Sequence, residues 1–258
     1  MEITVCDKST PRGGSGCFNF IAHLLKPYAD KCIVKPVDSD GSELNQVNSH
    51  IFFNNMIRHD VWCKIFITEQ KFQNELRNIY VLKKIYGDNF EKYTTHCDYD
   101  GFFGFKIEIH DIMFNFKEVA KNPNHNIIYV LLQRKCDAID ENPKHLGFFS
   151  KLIKDVSPAL DLLHENGYAH TDLIGVQNVV SCNGEFKIID YGRMAHENEL
   201  HPAFKKIENI LLNDIEIIFE NPARYFLLHW ILPMVTAIVA VGLCTWVCHD
   251  LLIIKSKK

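Results

Sequence analysis

The stretch His170–Gly192, HTDLIGVQNVVSCNGEFKIIDYG, constrains this chain more than any other part of it. Two acidic residues, Asp172 and Asp190, stand eighteen positions apart, with His170 before the first and Gln177-Asn178 after it. Between them, VVSCNGEFKII reads as a hairpin. Val179-Val180 and Phe186–Ile189 are short apolar strands, and Asn183-Gly184 is a strong turn signal. A hairpin returns its ends to one place, so the two carboxylates converge in one cleft. Convergent Asp, Asn or Gln oxygens are hard ligands, suited to Mg2+ and to the phosphates it carries.

The arrangement resembles the catalytic loop of protein kinases, H-R-D-L-x-x-x-N, and its D-F-G partner; this chain has HTDL…N and DYG in their places. Both motifs stand in the kinase order and at about the kinase interval. Two departures matter. Kinases leave four residues between the Asp and the Asn, whereas five separate Asp172 from Asn178. Gln177 therefore takes the metal-ligand position unless Gly175 lets the loop bulge by one residue. Ile174 stands where kinases place a loop Lys, and Thr171 replaces the Arg of H-R-D.

Upstream, Pro11–Phe18 carries Gly13, Gly14 and Gly16. Glycines let backbone approach phosphate oxygens with no Cβ in the way. The cluster does not match G-x-G-x-x-G; it is similar to the GGxGC-type loop of kinase-like proteins of large DNA viruses. Two lysines then compete for the phosphate-pairing role. Lys35 in CIVKPV is followed by Pro36, which spoils pairing in a central strand. Lys64 lies in the unbroken run VWCKIFI. Lys71–Tyr86 has helical spacing, with Phe72, Leu76, Ile79 and Tyr80 recurring and Glu75 on the side of Ile79 and Leu82. A strand Lys followed by a helix Glu resembles the kinase ion pair, which favours Lys64 with Glu75. Residues 38–60 then form an insertion, within which SHIFFNN reads as a strand.

Ile127–Leu132 is an apolar strand leading into QRKCDAID, which resembles the hinge between kinase lobes. Gly147–His164 is helical, with Phe149, Leu152, Ile153 and Val156 on one stripe, a break or kink expected at Pro158, and Gly167 as the stop. His125, His145 and His164 have no partners at metal-ligand spacing. The nine cysteines include no CxxC pair, which predicts reduced thiols in a cytosolic setting and neither a zinc site nor a disulfide framework. The net charge of -4 gives no electrostatic case for nucleic acid as a partner. The opening residues, MEITVCDKSTPRGG, hold no apolar core of the kind a signal peptide needs, so none is expected here.

Phe204–Phe219 is an amphipathic helix with Ile207, Leu211, Ile215 and Ile218 along one face. Trp230–Cys248 then runs nineteen residues without a charge, with Trp at both ends of the span and KSKK beyond. About twenty apolar residues cross a bilayer. The expectation is a C-terminal membrane anchor over residues 225–254, with the rest of the chain on the cytosolic side.

The resemblance spans roughly residues 11 to 195. It implies an α+β, bilobal protein-kinase-like domain over residues 1–222, with an N-lobe to about 132 and a truncated C-lobe from 133 that lacks A-P-E. It further implies a protein substrate, ATP and Mg2+. Asp172 would orient the acceptor hydroxyl, Asp190 would hold the metal with Asn178 or Gln177, Lys64 would neutralise phosphate charge, and Glu75 would hold Lys64. The glycines would cover the nucleotide. Two other readings stay open: a membrane-anchored pseudokinase that binds a partner, and a small-molecule kinase of the aminoglycoside or choline type.

Overall fold

The computed structural model describes residues 2–5, 17–19, 21–111, 113–116, 124–139, 146–173 and 178–199. They form a mixed α+β architecture. Its first half is a five-stranded antiparallel sheet, ordered Cys17–Asn19, Val61–Phe66, Ile127–Arg134, Gly104–Ile109 and Cys32–Val37. Strand alternation sends successive side chains to opposite faces. Cys63, Ile65, Val130 and Leu132 therefore pack with Phe52 and Phe53 on one face, while Phe66 and Leu131 meet Phe72, Leu76 and Ile79 on the other. Lys64 pairs with Leu131 in the ladder and shares that second face.

Three helices cover the sheet. Glu69–Tyr86 lies on the Lys64 face and buries Phe72, Glu75, Leu76, Ile79, Leu82 and Tyr86. Each such apolar side chain contributes about 1.5–3 kcal/mol on burial. Gly104 is what lets it sit so close, because a Cβ there would come within 2.8 Å of the Phe72 ring. The opposite face is covered by Ile21–Leu25 and Ser49–Arg58. SHIFFNN is thus helical, not a strand. The Asn48 side chain caps it by accepting from Ile51 N at 3.1 Å, and Phe52, Phe53 and Met56 recur at helical spacing to face the sheet. Cys32–Val37, with Pro36, is an outer strand, and residues 38–48 fold back along it.

In the second half, helix Leu146–Glu165 packs against the hairpin Val179–Cys182/Glu185–Ile188. Asn183 and Gly184 both have positive φ, 53° and 81°, as a two-residue turn of matching twist needs. The helix runs through Pro158, so of the two expected effects, break or kink, the break does not occur. Burial of Leu152, Val156, Leu160 and Leu163 holds it across the missing hydrogen bond. Gly167, at φ 80°, turns the chain out of the helix as expected.

The connection from sheet to hairpin brings a second correction. Asp137–Ala138 pairs with Ser181 and Val180, and this register sets Cys136 beside Cys182. The two are disulfide-bonded, with Cα atoms 4.7 Å apart, against the expectation of reduced thiols throughout. The expected anchor, 225–254, lies outside the described residues, none of whose helices is long and apolar enough to cross a membrane.

Candidate functional site

Lys64 is the centre of the site. Its Nζ lies 2.8 and 2.7 Å from the two carboxylate oxygens of Glu75 and 2.8 Å from Oδ1 of Asp190. Lys64 and Glu75 are each only 1% exposed. Burial opposes the ammonium charge, but the two carboxylates outweigh it and raise the Lys64 pKa. Burial likewise opposes ionisation of Asp190, yet Lys64 overcomes it and holds that carboxyl below its usual range. Both groups are therefore charged at neutral pH. Lys35, the rival lysine, stands on the outer strand and pairs with Glu43 at 2.9 Å, away from this cluster.

Asp190 adopts a left-handed conformation, φ 61° and ψ 57°. For a residue other than glycine this costs about 1–3 kcal/mol and persists only where surroundings enforce it. Here they do. The Asn78 side chain donates to the Tyr191 carbonyl at 2.7 Å, tying the Glu75 helix to DYG. Tyr191 is fully buried with its ring against His170, centroids 4.9 Å apart. A Cβ on Gly192 would come 3.0 Å from Glu75 Oε2, so any side chain there presses on the Glu75 carboxylate.

His170 joins the two halves of the motif. Its Nε2 is 3.0 Å from the Ile189 carbonyl, and its Nδ1 is 3.4 Å from the Asp172 N–H. A carbonyl can only accept and an amide can only donate, which places the proton on Nε2. Asn178 Nδ2 donates to the Asp172 carbonyl at 2.6 Å, and its own carbonyl accepts from Ile189 N. Asn178 thus sits beside Asp172 despite the five-residue spacing, with its side-chain oxygen remaining as a hard donor. Gln177 and the glycines Gly13, Gly14 and Gly16 lie outside the described residues. The strand that follows those glycines, Cys17–Asn19, runs directly beside the Lys64 strand.

Glu75, Asp172 and Asp190 line one cavity of about 250 Å3, with Lys71 and Arg193 at its rim. A larger cavity of about 630 Å3, near Asp60, Asp98 and Arg134, contains none of the site residues above. Volume alone does not identify the chemistry. Among the described residues no cluster of three or more His, Cys, Asp or Glu has metal-binding geometry. Asp190 and the Asn178 oxygen nevertheless match the hard-donor set that Mg2+ takes together with water and phosphate oxygens.

Two contributors carried no signal in the sequence. Arg193 Nη1 bonds Asp172 Oδ1 at 3.0 Å, and the Arg193 carbonyl accepts from the Thr171 hydroxyl at 2.6 Å. Buried His96 lies near Lys64, and burial first, then that positive charge, pushes its pKa down to about 3. Compared with known proteins, the chain matches no family model and no curated protein sequence.

Proposed function

We propose that this chain is an ATP-dependent kinase of protein Ser or Thr hydroxyls, built on a bilobal protein-kinase-like fold. One observation carries the reading: Lys64 joins Glu75 and Asp190, two acids that line the same cavity as Asp172. Such a constellation suits phosphoryl transfer, which needs positioning and charge neutralisation more than covalent chemistry.

In this reading Lys64 pairs with the nucleotide phosphates while Glu75 fixes its position. Asp190, with Asn178, would hold Mg2+, which would supply positive charge against the nucleotide phosphates. Asp172 orients the acceptor hydroxyl and receives its proton. His170 and Asn178 hold the Asp172 backbone from either side. The apolar run Trp230–Cys248 supports tethering the kinase at a membrane.

The test is Mg-ATP binding and phosphotransfer to a Ser/Thr protein substrate by the full chain in detergent. Asp172→Asn should abolish transfer with nucleotide binding nearly intact, and Asp190→Ala should lose metal-dependent binding. Wild-type turnover in both variants would sink the assignment. Binding without turnover in the wild type would favour a scaffold role. Fractionation of the full chain against one ending at Pro222 tests the tether; a full chain that stays soluble without detergent would refute it.

A further inference from the structure

The rim of the cavity over Asp172 is positively charged. Lys71 lies one turn before Glu75 on the same helix and is exposed, and Arg193 follows directly on Gly192. The acids beneath are engaged: Glu75 and Asp190 hold Lys64, and Asp172 accepts from Arg193. Arg193 is 74% exposed at its side chain. A guanidinium carries five N–H donors, and the bond to Asp172 is the one side-chain partner of Arg193 among the described residues. Its backbone, by contrast, is held in the turn Tyr191–Arg193 and by the Thr171 hydroxyl. Arg193 is therefore fixed at its root and open at its tip. That suits it to a second carboxylate or phosphate.

We infer that Arg193, with Lys71 on the rim of the same cavity, selects acceptors whose hydroxyl is flanked by an acidic residue; this rests on the phosphotransfer reading of the site. The flanking carboxylate pairs with the open N–H groups of Arg193. It also draws the guanidinium from Asp172, freeing that carboxylate for the acceptor. The acceptor oxygen then bonds to the γ-phosphorus as the bond from phosphorus to the ADP oxygen breaks. The electron pair leaves on ADP, and the hydroxyl proton passes to Asp172. A basic flank would instead set a cation against Lys71 and Arg193.

The experiment uses the full chain in detergent and three Ser peptides that differ only in flanking Asp, Gln or Lys. Transfer kcat/KM and the binding of fluorescein-labelled copies are measured in parallel. Wild type should favour the Asp peptide over the Gln peptide by about ten-fold, the order that a close charge pair supplies. Arg193→Ala should bring the three within about two-fold of one another, Arg193→Lys should restore part of the order, and Arg193→Glu should invert it. Lys71→Glu should narrow the preference independently. Equal use of the three peptides by wild type overturns the inference. So does an acid preference that survives Arg193→Glu, or a rise in ATP KM common to all peptides. If no peptide is phosphorylated but binding still ranks them through Arg193, the phosphotransfer reading fails and the acid selectivity stands. If binding ranks none, both fall.

Discussion

The Nζ of Lys64 lies 2.8 Å from Oδ1 of Asp190, across 126 residues of chain, while the same ammonium holds both oxygens of Glu75. One buried cation thus joins a strand, a helix and the turn after the hairpin. Lys64→Met would leave Glu75 facing Asp190 with no counter-charge and should cost about 3–5 kcal/mol of stability. Adding Glu75→Leu should recover part of that loss, because it removes the stranded buried charge. Urea denaturation of the two singles and the double checks this; strictly additive losses would show that the pair is uncoupled.

Gly192→Ala should damage the site without touching any charged residue. The new methyl would sit 3.0 Å from Glu75 Oε2 and 3.5 Å from Asp190 Oδ1, and the fully packed Glu75 has nowhere to retreat. A cost of about 1–3 kcal/mol is expected from the overpacking, with loss of Mg-ATP binding. Wild-type nucleotide affinity in this variant would mean that the turn relaxes freely.

His96 should make the fold acid-sensitive. Its folded pKa is about 3, against an ordinary value near 6.5. The unfolded chain therefore binds more protons across that window, so stability is complete above about pH 6.5 and falls as the pH drops toward 3. Between pH 6 and pH 5 wild type should lose about 1 kcal/mol more than His96→Gln. Parallel slopes for the two proteins would contradict the burial of an uncharged imidazole.

The Cys136–Cys182 bond should stabilise the chain measurably. It closes a loop over a separation of 46 residues, which in the chain-entropy account contributes about 4 kcal/mol. Dithiothreitol should lower the melting temperature of wild type to that of Cys136→Ser with Cys182→Ser and leave the double variant unaffected. Identical melting of wild type with and without reductant would mean that the two thiols remain free.

Much of the site was legible in two short stretches. VWCKIFI is an unbroken strand-like run and KFQNELRNIY has helical spacing, and a strand Lys followed by a helix Glu resembles the kinase ion pair, which is how Lys64 and Glu75 meet. The hairpin was equally readable from Asn183-Gly184. What was missed depends on register or on single residues. Cys136 and Cys182 become neighbours only once Asp137 pairs with Ser181, and no spacing announces that. The Ile-Phe-Phe run of SHIFFNN favours a strand, and the marks of a helix, the capping Asn48 and the spacing of Phe52, Phe53 and Met56, lie partly outside that stretch. Arg193 is one charge among many until the turn after Asp190 carries it to Asp172.

The outer strand Cys32–Val37 has a further consequence, for how the protein keeps apart from its own copies. An open strand edge is a template for another chain. Here Pro36 offers no N–H, and the outward carbonyls of Val34 and Pro36 already accept from Val47 and Leu44 at 2.9 and 3.0 Å. The insertion therefore covers this edge of the sheet, and shortening residues 39–48 would open it to pairing with another chain.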